Sequence, residues 1–344
     1  MKAGKLSPSA LEDLVLRRVG RRRDDVLVGA AIGEDAAVLD FGGEVCVVSS
    51  DPITGAGQGA GRLAVHISCN DIAAGGASPI GVVVVLLLPE ETKSEDIAAL
   101  MEEMGEAAAE LGIDIVGGHT EITSKVTSPV VITTALGRAP RHRFVTSFGF
   151  RPGDAVLVTK GVGLEGTAIL ACDWEAVIAE ACRRQPALLA GKSLEALLAN
   201  ARGFYREISA VKDGEVAAAF GATAMHDLTE GGLYGGLYEM ARGVKGAAFR
   251  IYRERVPVRE ETAIICRALD LDPLGLISSG AMLITTADGP GLRDHLQKAG
   301  ITAYIIGEVI EGDKNILVEA GGDEKIMPGP VEDELWRFLA AQPV

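Results

Sequence analysis

Residues 68–89 read SCNDIAAGGASPIGVVVVLLLP, with Asn70 and Asp71 set in a run otherwise dominated by small and apolar side chains. Everything around them favours burial. A buried carboxylate has a large desolvation cost unless it is paired, hydrogen-bonded or bound to a cation. Asp71 therefore needs a partner, and either backbone amides or a metal ion can supply it. Ala73, Ala74, Gly75, Gly76 and Ala77 allow a helix end to press on a neighbouring backbone, and Ser78-Pro79 stops the helix before the strand-like run Val82 to Leu88. The stretch predicts a helix beside a buried strand, with an acid near their junction.

Upstream, residues 26–55 (VLVGAAIGEDAAVLDFGGEVCVVSSDPITG) predict a hairpin, with strands at 36–39 and 45–49 about a Gly42-Gly43 turn. Glu34 and Asp35 enter the first strand and Asp51 leaves the second. Such positions lie side by side in a hairpin, so Asp35 and Asp51 approach each other. Two carboxylates brought together repel unless a proton or cation sits between them. Further upstream, Ser7-Pro8 followed by Leu11, Leu14, Val15 and Val19 predicts a capped amphipathic helix.

Downstream of the hairpin, GAGQGAG (55–61) opens the helix that carries Asn70 and Asp71, and a second amphipathic helix is expected at about 94–111. Residues 113–137 read as strand, turn and strand, with Gly117-Gly118 as the turn. This arrangement is α+β with one helical face. At 344 residues the chain exceeds the roughly 250–300 residues over which single cores keep growing, which predicts two domains with a core each. Pro152-Gly153-Asp154 punctuates the boundary, giving domains of residues 1–149 and 150–344. The second holds a strand at 155–159, helices across 164–218, a strand at 222–225 ending in His226-Asp227, and a Gly-Gly helix start at 231. The tail, 310–344, reads as strand and then a short helix around Trp336.

A net charge of −15 argues against nucleic acid or an anionic membrane surface as the main partner, and Arg21-Arg22-Arg23 is too short a basic run to reverse this. An acidic protein holding a polyanion such as a nucleotide needs divalent cations as the bridge. The cysteines Cys46, Cys69, Cys172, Cys182 and Cys266 are scattered without metal-site spacing and read as reduced thiols. The N-terminus has no apolar signal stretch and the run at 82–88 is far short of the ~20 residues that span a bilayer, so a cytoplasmic location is expected.

Three glycine patterns invite a nucleotide reading. AGKS at 190–193 lacks the first glycine of a P-loop, with Pro186 in its place and a helical context. Gly161-Val162-Gly163-Leu164-Glu165-Gly166 follows a strand and precedes a helix, as a dinucleotide fold requires, but helices follow where that fold needs a second strand ending in an acid. A dinucleotide-dependent oxidoreductase is thus the weaker alternative. GAGQGAG fails the same test. What remains is a set of acids, Asp35, Asp51, Asp71 and Asp227, each at the end or junction of an apolar segment beside small residues. Singly such an Asp caps a helix or a turn. Together they could converge on hydrated Mg²⁺ carrying phosphates, since this ion takes few protein oxygens.

The segments GEDAAV (33–38), SSDPITG (49–55), LAVHISCNDIAAGGASPIGV (63–82), GGHTEIT (117–123), PGDAVLVTKGVGLEG (152–166) and MHDLTEGGLYGGLYEMA (225–241) resemble, in order and spacing, the AIR synthase-related ATP-binding superfamily. The similarity runs from about residue 5 to 310. Its hydrogenase-maturation branch, the HypE type, looks closest through DLTEGGL and DPLGLISSGAMLI (272–284). The resemblance implies an N-terminal domain whose sheet pairs with its copy in a homodimer to form a barrel, an α/β C-terminal domain, and ATP in the groove between domains. It implies Mg²⁺ held by Asp35, Asp51 and Asp71, with Asp227 facing the same groove as a metal-binding or catalytic acid. Gly29 and Gly33 match a phosphate-covering loop, and Asn70, Asp71 and Thr120 join the nucleotide-binding set.

Such enzymes pass the γ-phosphoryl group of ATP to an oxygen of a small-molecule or protein substrate, a chemistry of positioning and charge neutralisation. Two departures stand out. His119 occupies a position where relatives carry Asp or Glu; either Glu121 substitutes, a metal is lost, or His119 does acid/base work. The HypE type ends in a substrate cysteine, whereas no Cys follows Cys266 here. A non-catalytic, HypE-like ATP-binding partner protein is therefore a second reading.

Overall fold

The computed structural model describes residues 6–20, 23–54, 59–189, 191–330 and 332–342. The first half comprises α1 (Pro8–Leu14), β1 (Val26–Val28), β2 (Ala37–Asp40), β3 (Glu44–Ile53), α2 (Ala60–Ala74), β4 (Ser78–Leu88), α3 (Ser94–Leu111), β5 (Asp114–Ile122) and β6 (Val130–Pro140). Its strands form one sheet in the order β1-β2-β3-β6-β4-β5. Every neighbouring pair runs antiparallel except β4 and β5, which are joined by the α3 crossover. The helix–strand junction expected at 68–89 is present as α2 and β4. Part of the GAGQGAG loop, residues 55–58, lies outside the described residues, as do Arg21 and Arg22.

The second half comprises β7 (Ala155–Thr159), α4 (Leu164–Asp173), α5 (Glu175–Arg184), α6 (Leu194–Gly203), α7 (Val211–Phe220), β8 (Ala224–Asp227), α8 (Gly232–Gly243), β9 (Ala247–Tyr252), α9 (Glu260–Leu269), β10 (Met282–Thr286), α10 (Gly289–Lys298), β11 (Ala303–Glu311), β12 (Ile316–Val318), β13 (Glu324–Ile326) and α11 (Glu334–Ala340). Its sheet has the order β13-β12-β9-β11-β7-β10-β8. The glycine pattern at 161–166 does follow a strand and start a helix. However, β7 is flanked on both sides by antiparallel strands, β10 and β11. That pairing is foreign to the parallel βαβ unit of a dinucleotide fold.

One expectation is corrected. Gly117 and Gly118 form no turn; both lie inside β5, paired with Val83 and Val84. The register slips there, and a Cβ on Gly118 would stand 1.8 Å from the Val84 carbonyl oxygen. The glycines serve a bulge and a close backbone approach, a role that looks like a turn in sequence. Two hydrophobic clusters lie wholly within the second half, and the two halves also meet in shared packing. The first hydrophobic cluster joins Val47, Ile72 and Leu86 to Leu157, Val211, Met225 and Ile284 across the boundary.

Helix α2 is the reason for this shared core. Twelve of its fifteen residues are buried, because it packs on β3 and β6 with one side and on α7 and β8 with another. Small side chains permit both contacts. A Cβ on Gly137 of β6 would overlap Ile72, and one on Gly214 of α7 would lie 2.5 Å from the Ala73 carbonyl oxygen. Gly214→Val should therefore force α7 away from α2 and cost about 1–3 kcal/mol, the usual penalty of overpacking. Denaturant unfolding should give an earlier midpoint; a midpoint equal to the wild type's would contradict the close approach.

Candidate functional site

Alternation along β3 turns Val45, Val47, Ser49 and Asp51 toward α2, and the buried residues of that series mark the helix-covered face. Asp71, near the C-terminal end of α2, meets them: Ser49 Oγ hydrogen-bonds Asp71 Oδ2 and stands 3.2 Å from Asp51 Oδ2. One hydroxyl proton thus faces two carboxylates. Asp35 lies two residues before the pair Ala37↔Val48 that closes the β2–β3 ladder, and Asp51 three residues beyond it. From the second half, β8 delivers His226 and Asp227. His226 Nδ1 lies 2.6 Å from Asp35 Oδ1, and its Nε2 lies 3.5 Å from Glu239 on α8.

Electrostatics bind the four acids into one site. Burial raises the pKa of Asp71 well above the carboxylate range, and Asp227, Asp51 and Asp35 add to the rise. Asp227 is raised by burial and then by Asp35, against the opposing charge of His226. Burial works against a charge on His226, yet Asp35 and Glu239 outweigh it and lift its pKa well above the usual value. Next to Asp35, Glu34 is pushed up to about 7, chiefly by burial. Asp35 Oδ2 and Asp227 Oδ2 are buried without a hydrogen-bond partner. One imidazolium cannot neutralise four carboxylates, so the cluster either holds protons or takes up a cation.

The remaining expected residues are placed differently. Gly33 has φ +86°, and a Cβ there would lie 2.6 Å from the Glu239 carbonyl oxygen, so its loop presses on α8; Gly29 has no comparable crowding. Asn70 was expected to contact the nucleotide. It is fully buried instead, donating to Ile208 O (2.9 Å) and accepting from Ala210 N (2.6 Å). Both ends of its amide are engaged in clasping α2 to the second half.

His119 and Thr120 lie on β5, at the sheet edge. The rows Asp51↔Thr133, Thr133↔Val84 and Val84↔Gly118 put three strand spacings, ~14 Å, between Asp51 and this strand. Register also pairs His119 with Val85, on the face away from α2. His119 is largely exposed, 3.7 Å from Glu121. Within one chain, neither residue joins the carboxylates.

Ser49, His226, Glu34 and Glu239 complete the site without having been singled out as site residues. Ser49 could have been found as the residue two before Asp51 on the same strand face. His226 could have been found as the neighbour of Asp227, whereas Glu239 reaches the site only through the docking of α8.

The sequence matches the family model of the AIR synthase related protein N-terminal domain over residues 33–139 and that of the C-terminal domain over residues 151–319. It is 26% identical over 345 residues to a putative hydrogenase expression/formation protein of Methanocaldococcus jannaschii, covering 97% of this chain and 96% of that protein. It is 30% identical over 260 residues to the carbamoyl dehydratase HypE of Rhodobacter capsulatus, covering 75% and 70% respectively. The fold is shared with the crystal structure of the hydrogenase maturation protein HypE in complex with ATP: TM-score 0.68, 24% identity, 98% of this chain and 97% of that one.

Raised carboxylate pKa values fix the sign of a pH effect in metal-free protein. The native state holds protons that the unfolded chain releases, so the contribution is complete below about pH 4 and is lost as pH rises through the folded values, about 7 for Glu34. Asp71→Asn removes one such group. In a chelator, the variant should gain stability relative to wild type as pH rises from 4 to 8, by roughly 1–3 kcal/mol. A pH-independent difference in unfolding midpoint would refute the burial of an unneutralised Asp71.

Proposed function

The chain belongs to the AIR synthase-related family, and we propose that it is a Mg²⁺-dependent ATP-using enzyme that phosphorylates, and so activates, an oxygen of a separate substrate. The observation that carries this reading is the convergence of Asp35, Asp51, Asp71 and Asp227, with two of their oxygens buried and unpartnered. An all-oxygen donor set suits Mg²⁺. Among the described residues no three His, Cys, Asp or Glu side chains form a ready-made metal cage. Mg²⁺ does not require one, since it keeps several waters and binds through one or two carboxylates plus phosphate oxygens.

Asp51 and Asp71 from the first half, with Asp35 and Asp227 at the seam, would hold the ion, which when bound neutralises charge on the transferring phosphoryl group. Ser49 and His226 keep the carboxylates oriented and partly neutralised before loading. The name of the Rhodobacter relative supports an amide oxygen as acceptor. Phosphorylating that oxygen makes it a leaving group, and its loss as phosphate with two amide protons leaves a nitrile.

A homodimer belongs to the same proposal. The sheet face turned from α2 carries half-exposed Val48, Val83, Val85, Leu87, Ile132 and Leu136. A contiguous apolar face of this kind favours a protein partner. A second copy covering it would enclose His119 at the subunit interface.

Asp71→Asn should weaken ATP binding at least tenfold in the presence of Mg²⁺ and leave it unchanged or improved in chelator, read by isothermal titration. Equal losses under both conditions would assign Asp71 a structural role. Val85→Asp should yield a monomer in sedimentation, and a surviving dimer would move the interface elsewhere.

A further inference from the structure

A cavity of about 640 Å³ opens at the end of the C-terminal sheet, beyond Thr159, where Lys160, Arg206, Lys212 and Arg259 gather around Glu207 and Asp213. In a chain of net charge −15, four cations against two acids is a local reversal of sign. The two acids are already neutralised. Lys160 lies 3.2 Å from Asp213 and donates to the carbonyls of Ser209 and Gly280, both at 2.6 Å. Arg259 forks onto both oxygens of Glu207.

Two positive charges are left over. Arg206 is exposed and has no hydrogen bond or ion pair among the described residues. Lys212 donates to the Ala299 carbonyl at 2.6 Å, which orients its charge without cancelling it. Apolar Pro257, Val258 and Ile301 also line the cavity, together with exposed Tyr304. A concave site of this size, apolar with a few convergent charged groups, fits a small organic ligand.

The cavity is distinct from the carboxylate cluster. Asp227 opposes Met282, and Met282 N donates to Thr159 Oγ1, so two strand spacings, ~10 Å, separate Asp227 from the strand that ends at Thr159. The two sites also carry opposite charge.

We propose that this cavity is a second ligand site, which takes a small organic phosphate with its anionic end on Arg206 and Lys212 and its apolar body against Tyr304. The inference stands independently of nucleotide binding at the carboxylates. Its test is calorimetric titration of the intact protein with phenyl phosphate and with inorganic phosphate, both in chelator, where the carboxylate cluster repels anions. Phenyl phosphate should bind, and more tightly than inorganic phosphate.

Arg206→Glu should weaken phenyl phosphate at least tenfold while leaving the unfolding midpoint unchanged, because Arg206 holds nothing in the fold. Tyr304→Ala should erase the preference for the ring, and Asp71→Asn should leave binding as it is. No binding at millimolar ligand, or Arg206→Glu binding as wild type, would overturn the site. Loss on Asp71→Asn would move the ligand to the carboxylates and overturn it equally.

Discussion

Burying several carboxylates around one point is the constraint on which the rest of this structure turns. Asp71 and Asp227 are almost wholly withdrawn from water, and Asp35 is nearly so. Such groups are tolerable only when protonated, paired or bound to a cation. Ser49 and His226 meet part of the need, with one shared hydroxyl and one imidazolium. What they leave unmet is capacity for positive charge, placed at the seam of two halves where an anionic ligand could be held through ions rather than through basic side chains.

Holding such a site together requires a stiff frame, and α2 supplies it. The helix is sealed between the N-terminal sheet and α7, and a polar stripe along it reads the backbone of the second half. Arg62 donates to Tyr205 O, and Asn70 takes both Ile208 O and Ala210 N. On the other side, Lys160 holds Glu207 O and Ser209 O. The segment from Tyr205 to Ala210 is thereby gripped from both halves. Through it, the helix that carries Asp71 is tied to the half that carries Asp227.

Much of this was legible from sequence because it depends on local signals. The small-residue helix end at 73–77, the Ser78-Pro79 stop and the apolar run behind it define α2 and β4, and a Gly-Gly turn brings Asp35 toward Asp51. Asp227 could be tied to the same place only through the resemblance of whole motifs, because the contact depends on how two sheets dock. Gly117 and Gly118 misled because a bulge and a turn make the same demand for glycine. Asn70 misled because a buried amide clasping another segment's backbone has no sequence signature to separate it from one awaiting a ligand. The His119 position was legible as a departure from its relatives, but its place on the far face of the sheet follows only from the register of β4 and β5.

Anomalous diffraction from crystals grown with Mn²⁺ and a non-hydrolysable ATP analogue tests the central claim most directly. The carboxylate cluster should show a metal peak bonded to oxygens of Asp35, Asp51, Asp71 or Asp227 and to the nucleotide's phosphates. A nucleotide bound with no metal at these side chains, or with its phosphates on arginine and lysine elsewhere, would contradict it.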